Sequence, residues 1–213
     1  MFICRFDEAR DGLVADFASR NLVGKKILEL GCGSGDRTQL FYDVSRVIGV
    51  DIMGQVSVER KRKFCFFVAD ATKLPFRNES FDAVVSFDVI EHISDDKKFV
   101  AEAFRVCKGR GIIILGTPNR LRLSNRLRNL LGKKIVYPRY LGPDIIHLRE
   151  YTREQLITLV KNAGLSGECM CIWVGFVGRV NKGLRIFPTF LAPYAQYLLF
   201  FGRKQCRNDK VLV

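Results

Sequence analysis

Residues Lys25 to Asp36 read Lys-Lys-Ile-Leu-Glu-Leu-Gly-Cys-Gly-Ser-Gly-Asp. Ile27, Leu28 and Leu30 form a short apolar run, the pattern of a strand buried on both faces of a parallel sheet. Gly31, Gly33 and Gly35 follow at alternate positions. A glycine run after a buried strand lets the backbone turn sharply and lets a ligand approach with no Cβ in the way. Asp36 to Val44 reads as a helix whose first-turn N–H groups border the loop. The stretch predicts a ligand-binding turn in an open α/β sheet.

Upstream, Phe6, Ala9, Leu13 and Phe17 recur near helical spacing, so Phe2 to Arg20 reads as an amphipathic helix. Downstream, Val47 to Val50 reads as a second strand ending at Asp51, and the polar stretch Gln55 to Lys63 as a solvated helix. Phe64 to Val68 reads as a third strand followed by Ala69-Asp70-Ala71, and Phe81 to Phe87 as a fourth ending at Asp88. Asp95 to Cys107 reads as a helix with Ser94 as its N-cap, and Ile112 to Leu115 as a fifth strand. Thr152 to Ala163 reads as a helix capped by Thr152 and ended by Gly164, and Cys169 to Phe176 as a strand. Strands alternating with helices predict a doubly wound, mostly parallel, Rossmann-like α/β sheet with helices on both faces.

The chain has 213 residues, a length that fits a single domain over 1–213. Its 48% hydrophobic and 27% charged content is ordinary for a globular protein, but its formal net charge of +13 is not. That excess points to an anionic partner: nucleic acid, a membrane surface or a phosphorylated substrate. The seven cysteines include no Cys-x-x-Cys, so neither a disulfide framework nor a zinc site is indicated, and a reducing, cytoplasmic setting is expected. Arg5, Asp7, Glu8 and Arg10 leave no apolar signal-peptide core at the N-terminus.

Two stretches break the α/β alternation. Residues 120–143 carry Arg120, Arg122, Arg126, Arg128, Lys133, Lys134 and Arg139 and no acidic residue. The segment is long for a loop and is expected to have structure or function of its own, on the substrate side. Leu184 to Phe201 is strongly apolar. It reads either as one helix face for a membrane surface, or as a core helix followed by a last buried strand at Tyr197 to Phe201. Pro188, Pro193, Arg185 and Gln196 argue against a spanning helix. With the basic segment, it suggests peripheral contact at the inner membrane surface.

The ligand is constrained by what the glycine loop lacks. A dinucleotide fingerprint would place its third glycine at position 36, which is Asp36, and no Gly-Lys-Ser/Thr follows for a phosphate loop. Glu29 beside the loop would repel a pyrophosphate and suits an amine. The run Glu29 to Gly35 is similar to motif I of the class I S-adenosylmethionine-dependent methyltransferases. Strand ends then deliver Glu29, Asp51, Asp70 and Asp88 to the carboxyl edge of the sheet, where ligands sit in such folds. Asp51 can accept from two ribose hydroxyls, Asp70 from the adenine amine, and Ile52 and Ala71 can sandwich the purine.

Val68 to Ala71, Leu74-Pro75-Phe76, Ser80 to Val84, Ile90-Glu91-His92-Ile93, Arg105 to Lys108, Thr117-Pro118-Asn119 and His147 to Thr152 extend the resemblance over roughly residues 24 to 165. It resembles the small-molecule branch that includes ubiquinone biosynthesis. The resemblance implies a methyltransferase using S-adenosyl-L-methionine. It implies cofactor contacts from Glu29, Gly31, Gly33, Gly35, Asp51, Ile52, Asp70, Ala71 and Phe87. One departure is Gly109-Arg110-Gly111, where relatives usually carry Pro-Gly-Gly.

After the fourth strand, Phe87-Asp88-Val89-Ile90 lacks the Asn/Asp-Pro-Pro-Tyr/Phe of enzymes that methylate amines of DNA bases. Asp88-x-x-Glu91-His92 instead resembles the Glu-x-x-Glu-His array that holds a divalent metal in some ubiquinone O-methyltransferases, although no metal is assigned here. His92 and His147 are the only histidines and are the candidates for a catalytic base. The expectation is O-methylation of a small or lipid-linked, anionic acceptor. The alternatives are an RNA or protein methyltransferase, for which Tyr137 and Tyr140 offer little stacking surface, and a cofactor-binding protein without transfer activity.

Overall fold

A computed structural model describes residues 6–53, 63–142, 145–172 and 189–205. Its centre is a seven-stranded sheet in the order β3-β2-β1-β4-β5-β9-β8. The strands are β1 (Lys26–Leu30), β2 (Arg46–Asp51), β3 (Cys65–Val68), β4 (Phe81–Phe87), β5 (Cys107–Pro118), β8 (Leu165–Ile172) and β9 (Tyr197–Lys204). β1 to β5 run parallel, and β9 lies antiparallel between β5 and β8. The strand order reverses between β1 and β4, which is where an open sheet of this kind forms its ligand crevice.

The apolar runs of β1 and β4 are explained by cover on both sides. Leu28, Leu30 and Val84 face a core built with Phe99, Val100 and Ala103 of α2 (Asp96–Val106) and Leu156 and Val160 of α4 (Arg153–Asn162). Ile27, Ala83 and Val85 face the other core, with Val14 and Ala18 of α1 (Phe6–Asn21) and Leu22 just after it. Successive side chains of a strand point to opposite faces, so neither face can be polar here.

Several expectations hold. β4 has the predicted limits, α1 and α4 form, Thr152 caps α4 in a capping box with Gln155, and Gly164 takes a positive φ of 89° just past the helix. Others are corrected. Asp36 to Val44 is not an α-helix: only a 3-10 turn forms, at Thr38–Phe41. The α2 N-cap is Asp95, which accepts from the Lys98 N–H at 2.9 Å; Ser94 instead gives its carbonyl to Arg149. β5 is much longer than Ile112 to Leu115, because Gly109-Arg110-Gly111 forms a bulge within it; the pairing with β4 jumps from Cys107 to Ile112. Arg110 there has φ 61°. The expected helix at Gln55 to Lys63, apart from Lys63 itself in a turn, and the far part of the strand expected at Cys169 to Phe176 lie outside the described residues.

The basic segment has structure: α3 (Leu123–Leu130), then a hairpin of β6 (Arg139–Gly142) and β7 (Ile145–His147). The single helix face drawn over Leu184 to Phe201 does not form. Thr189–Tyr194 is a 3-10 turn, and Tyr197, Leu198, Leu199 and Phe200 are buried in β9, between β5 and the edge strand β8. Among the described residues, no helix is long and apolar enough to cross a membrane.

Candidate active site

The parallel strands β1 to β4 end along one edge of the sheet, at Leu30, Asp51, Val68 and Phe87. Gly31, Gly33 and Gly35 turn the chain there with φ of 70°, 51° and 84°. A side chain at Gly31 is excluded twice, by its φ and by Val89, whose Cγ2 would lie 2.1 Å from an added Cβ. An added Cβ at Gly33 would meet nothing within 4 Å, so the loop is open to a ligand on that side.

Asp51 ends β2 with its carboxylate held in place: Oδ2 accepts from Gly33 N–H at 2.8 Å and Oδ1 from Met53 N–H at 2.9 Å. The adjoining Ile52 is 72% exposed, an apolar surface at the mouth of the crevice. Asp70 is exposed. Its Oδ1 accepts from the Thr72 N–H and hydroxyl at 2.7 and 2.8 Å, and these bonds hold its pKa below the usual value. Ala71 is half-buried beside it. Phe87 does not present its ring to the crevice: it is buried in the α1-side core, against Gly116. Only its backbone is at the edge, where its carbonyl accepts from Arg37 at 3.4 Å.

Glu29 is buried, and burial pushes its pKa up to about 7. The Thr38 hydroxyl and Arg37 oppose the rise, yet neither Glu29 Oε2 nor Thr38 Oγ1 has a partner of hydrogen-bond geometry. Buried polar atoms without partners are uncommon and call for a ligand or a water. Two such oxygens beside the glycine loop, an anchored carboxylate at Asp51 and an exposed one at Asp70 suit a ligand rich in donors. The amine, ribose hydroxyls and adenine amine of S-adenosylmethionine are donors of that kind.

A second cluster adjoins the loop. Ile90–His92 forms a 3-10 turn directly after β4, and β7 packs His147 against it. His92 and His147 meet edge to face with ring centroids 4.9 Å apart. His92 Nδ1 lies 2.6 Å from the Ile146 carbonyl, and His147 Nδ1 3.1 Å from Glu150 Oε1. Both partners can only accept, so each Nδ1 carries a proton, and in the neutral ring Nε2 is then the nitrogen with the lone pair. Burial lowers the His92 pKa, aided by His147.

Glu91 is fully buried beside them. Its Oε2 accepts from the Thr117 hydroxyl at 2.9 Å, while Oε1 makes no hydrogen bond and lies 4.0 Å from His92 Nε2; burial, with Asp88 nearby, raises its pKa to about 8. Glu91, His92 and His147 each bring a ligand atom within 4.8 Å of the others, a donor set a divalent cation can use. Asp88 does not join them. Its Oδ2 accepts from Arg37 at 2.7 Å and from buried Arg10 of α1 at 3.1 Å, so Asp88 does not share the Glu91–His92 cluster and His147 does.

Glu150 was not among the candidates from the sequence. It is buried, and although burial works to raise its pKa, His147 and Arg122 hold it down at about 2. Arg122 grips it with two bonds of 2.5 and 2.8 Å. Its position three residues after His147 was the available signal; Arg122, on another element, left none. Thr38 was missed for want of a recognised motif.

The fold is that of the class I S-adenosylmethionine-dependent methyltransferases, and residues 28–115 match the methyltransferase domain family. It is 32% identical over 163 residues to a probable S-adenosylmethionine-dependent methyltransferase of Mycolicibacterium smegmatis, covering 75% of this chain and 59% of that protein. It is 28% identical over 175 residues to the mitochondrial ubiquinone biosynthesis O-methyltransferase of Bos taurus, covering 74% of this chain and 46% of that protein. The chain thus spans about half the length of these curated relatives. A Thermotoga maritima structure described as a possible histamine N-methyltransferase superposes with a TM-score of 0.66 at 20% identity, over 94% of this chain and 92% of that one.

Proposed function

We propose that the chain binds S-adenosylmethionine at the glycine loop and transfers its methyl group to an oxygen of a small or lipid-linked acceptor. S-adenosylmethionine supplies an electrophilic methyl on a sulfonium, whose departure needs no acid. The protein's work is then to orient the acceptor and to take its hydroxyl proton. Asp51 holds the ribose, Asp70 the adenine amine, and Glu29 with Thr38 the amino-acid end, directly or through water.

The observation that carries the acceptor chemistry is the meeting of His92 and His147 beside Glu91 at the carboxyl end of the sheet. His147 is the base: its Nε2 lone pair takes the proton, and Glu150 behind Nδ1 stabilises the imidazolium that forms. His92, neutral and more accessible, orients the acceptor hydroxyl through Nε2. The likeness to an O-methyltransferase of ubiquinone biosynthesis supports an oxygen acceptor.

The test is turnover with radiolabelled cofactor and phenolic acceptors, free and prenylated. His147→Ala should lower turnover by about 10²–10⁴ with cofactor affinity intact, and His92→Ala by less. Full turnover in His147→Ala removes the base assignment, and labelling only of amines removes the oxygen.

A further inference from the structure

α3 is inverted. Its one buried residue is polar, Asn125, while Leu123, Leu127 and Leu130 lie on the opposite face at the helical spacing i, i+4, i+7. Leu127 is 52% exposed, Leu130 82% and the adjoining Leu131 75%. An ordinary surface helix turns such a stripe inward. Here the inward face is claimed by Asn125, whose amide donates to the Arg120 carbonyl and to Glu150 at 2.9 and 3.1 Å. Arg128, Lys133 and Lys134 adjoin the leucines, exposed and without an acidic partner among the described residues, and Arg126 is exposed but donates to the Tyr194 hydroxyl at 3.0 Å. No acidic residue occurs from 120 to 143.

Aliphatic side chains ringed by cations and lacking anions are complementary to one surface in particular: an anionic bilayer. Its acyl boundary takes the leucines and its head groups the lysines and arginines. A nucleic acid would use aromatic platforms in a groove, and the exposed stripe is aliphatic. We propose that α3 and the turn after it dock the protein on an anionic membrane surface. The helix is tied to the candidate active site, because Glu150 accepts from Arg122 and Asn125 on one side and holds His147 on the other. Docking therefore places α3 between the bilayer and the His147 end of the site, one helix away from the head-group layer. The proposal deepens the lipid-linked acceptor reading and rests on it only for the purpose of docking.

The experiment is co-sedimentation with vesicles of phosphatidylcholine, with and without phosphatidylglycerol, at low and high salt, with neither cofactor nor acceptor. The protein should pellet with anionic vesicles at low salt, leave them at high salt and ignore neutral ones. Lys133→Gln with Lys134→Gln should weaken partitioning about thirtyfold. Leu127→Glu with Leu130→Glu should abolish it, while calorimetry shows cofactor binding unchanged in both variants.

The proposal is overturned if the wild type stays in the supernatant with anionic vesicles, or if the leucine variant still pellets. It is also overturned if sedimentation velocity shows a dimer that the leucine variant disperses, since a second copy then covers the stripe. RNA binding that outcompetes vesicles and survives the leucine changes overturns it as well. Vesicle binding is read without turnover. Failure of prenylated acceptors in the transfer assay would thus leave docking standing, and failure of docking would leave the transfer result standing.

Discussion

Glu29 and Glu91 are carboxyls that the fold removes from water without supplying enough donors. Folding raises Glu29 from an ordinary 4.5 to about 7 and Glu91 to about 8. In the window between those values the folded state binds more protons than the unfolded state, so stability is greatest below pH 4.5 as far as these groups are concerned and falls as pH rises through 7 and 8. For Glu29 the loss is about 3 kcal/mol. Urea midpoints across this range should show the fall in the ligand-free protein, and Glu29→Gln should remove its own share while that of Glu91 remains. A ligand amine that pairs with the ionised carboxylate reverses the sense for binding, so cofactor affinity should strengthen as pH rises through 7. A cofactor affinity independent of pH from 6 to 8 would remove Glu29 from the contact set.

At the scale of elements, helix starts show how far local chemistry reaches. Thr152 and Gln155 exchange side-chain bonds across the first turn of α4, at 3.3 Å from the Gln155 N–H and 3.0 Å from the Thr152 N–H. The partners are three residues apart, so the sequence alone places this cap. Thr152→Ala should lower stability by about 1 kcal/mol in denaturant titration, with the helix retained because Leu156 and Val160 stay buried. At α2 two capping residues stand side by side, and the choice between Ser94 and Asp95 is made elsewhere. Arg149, 55 positions away, takes the Ser94 carbonyl at 2.7 Å. The Arg110 bulge in β5 has a similar character. Its carbonyl accepts from Arg203 of β9 at 3.2 Å, a contact across the sheet.

For the whole molecule, the crevice is assembled from β1, β2, β4 and the turns after them, so a ligand there joins elements from distant parts of the chain. Saturating cofactor at about 100 times Kd should stabilise the protein by about 2.7 kcal/mol, read as a rise in thermal midpoint. Asp51→Ala removes charge-assisted bonds of roughly 1.5–3 kcal/mol each and should weaken binding about ten- to hundredfold, erasing most of that rise at the same concentration. An unchanged midpoint shift in Asp51→Ala would displace the ribose from β2. The N-terminal helix belongs to the same unit: Arg10, 1% exposed, spans from α1 to Asp88 at the end of β4.

The sequence by itself determined the parallel sheet, the glycine turn and the acids at the strand ends. Each rests on a period, a φ requirement or a spacing of a few residues, and such constraints act within one segment. Only the tertiary structure decided that Tyr197 to Phe200 is a central strand rather than a membrane face. An apolar run of that length suits either, and the open edges of β5 and β8 choose. It decided equally that Asp88 turns to Arg10 and Arg37 while His147 joins His92 and Glu91. It also turned the leucines of α3 outward, because Glu150 holds Asn125 inside. Those pairings join side chains far apart in the chain, and no local pattern carries them; they follow from which surfaces the packed sheet leaves free to meet.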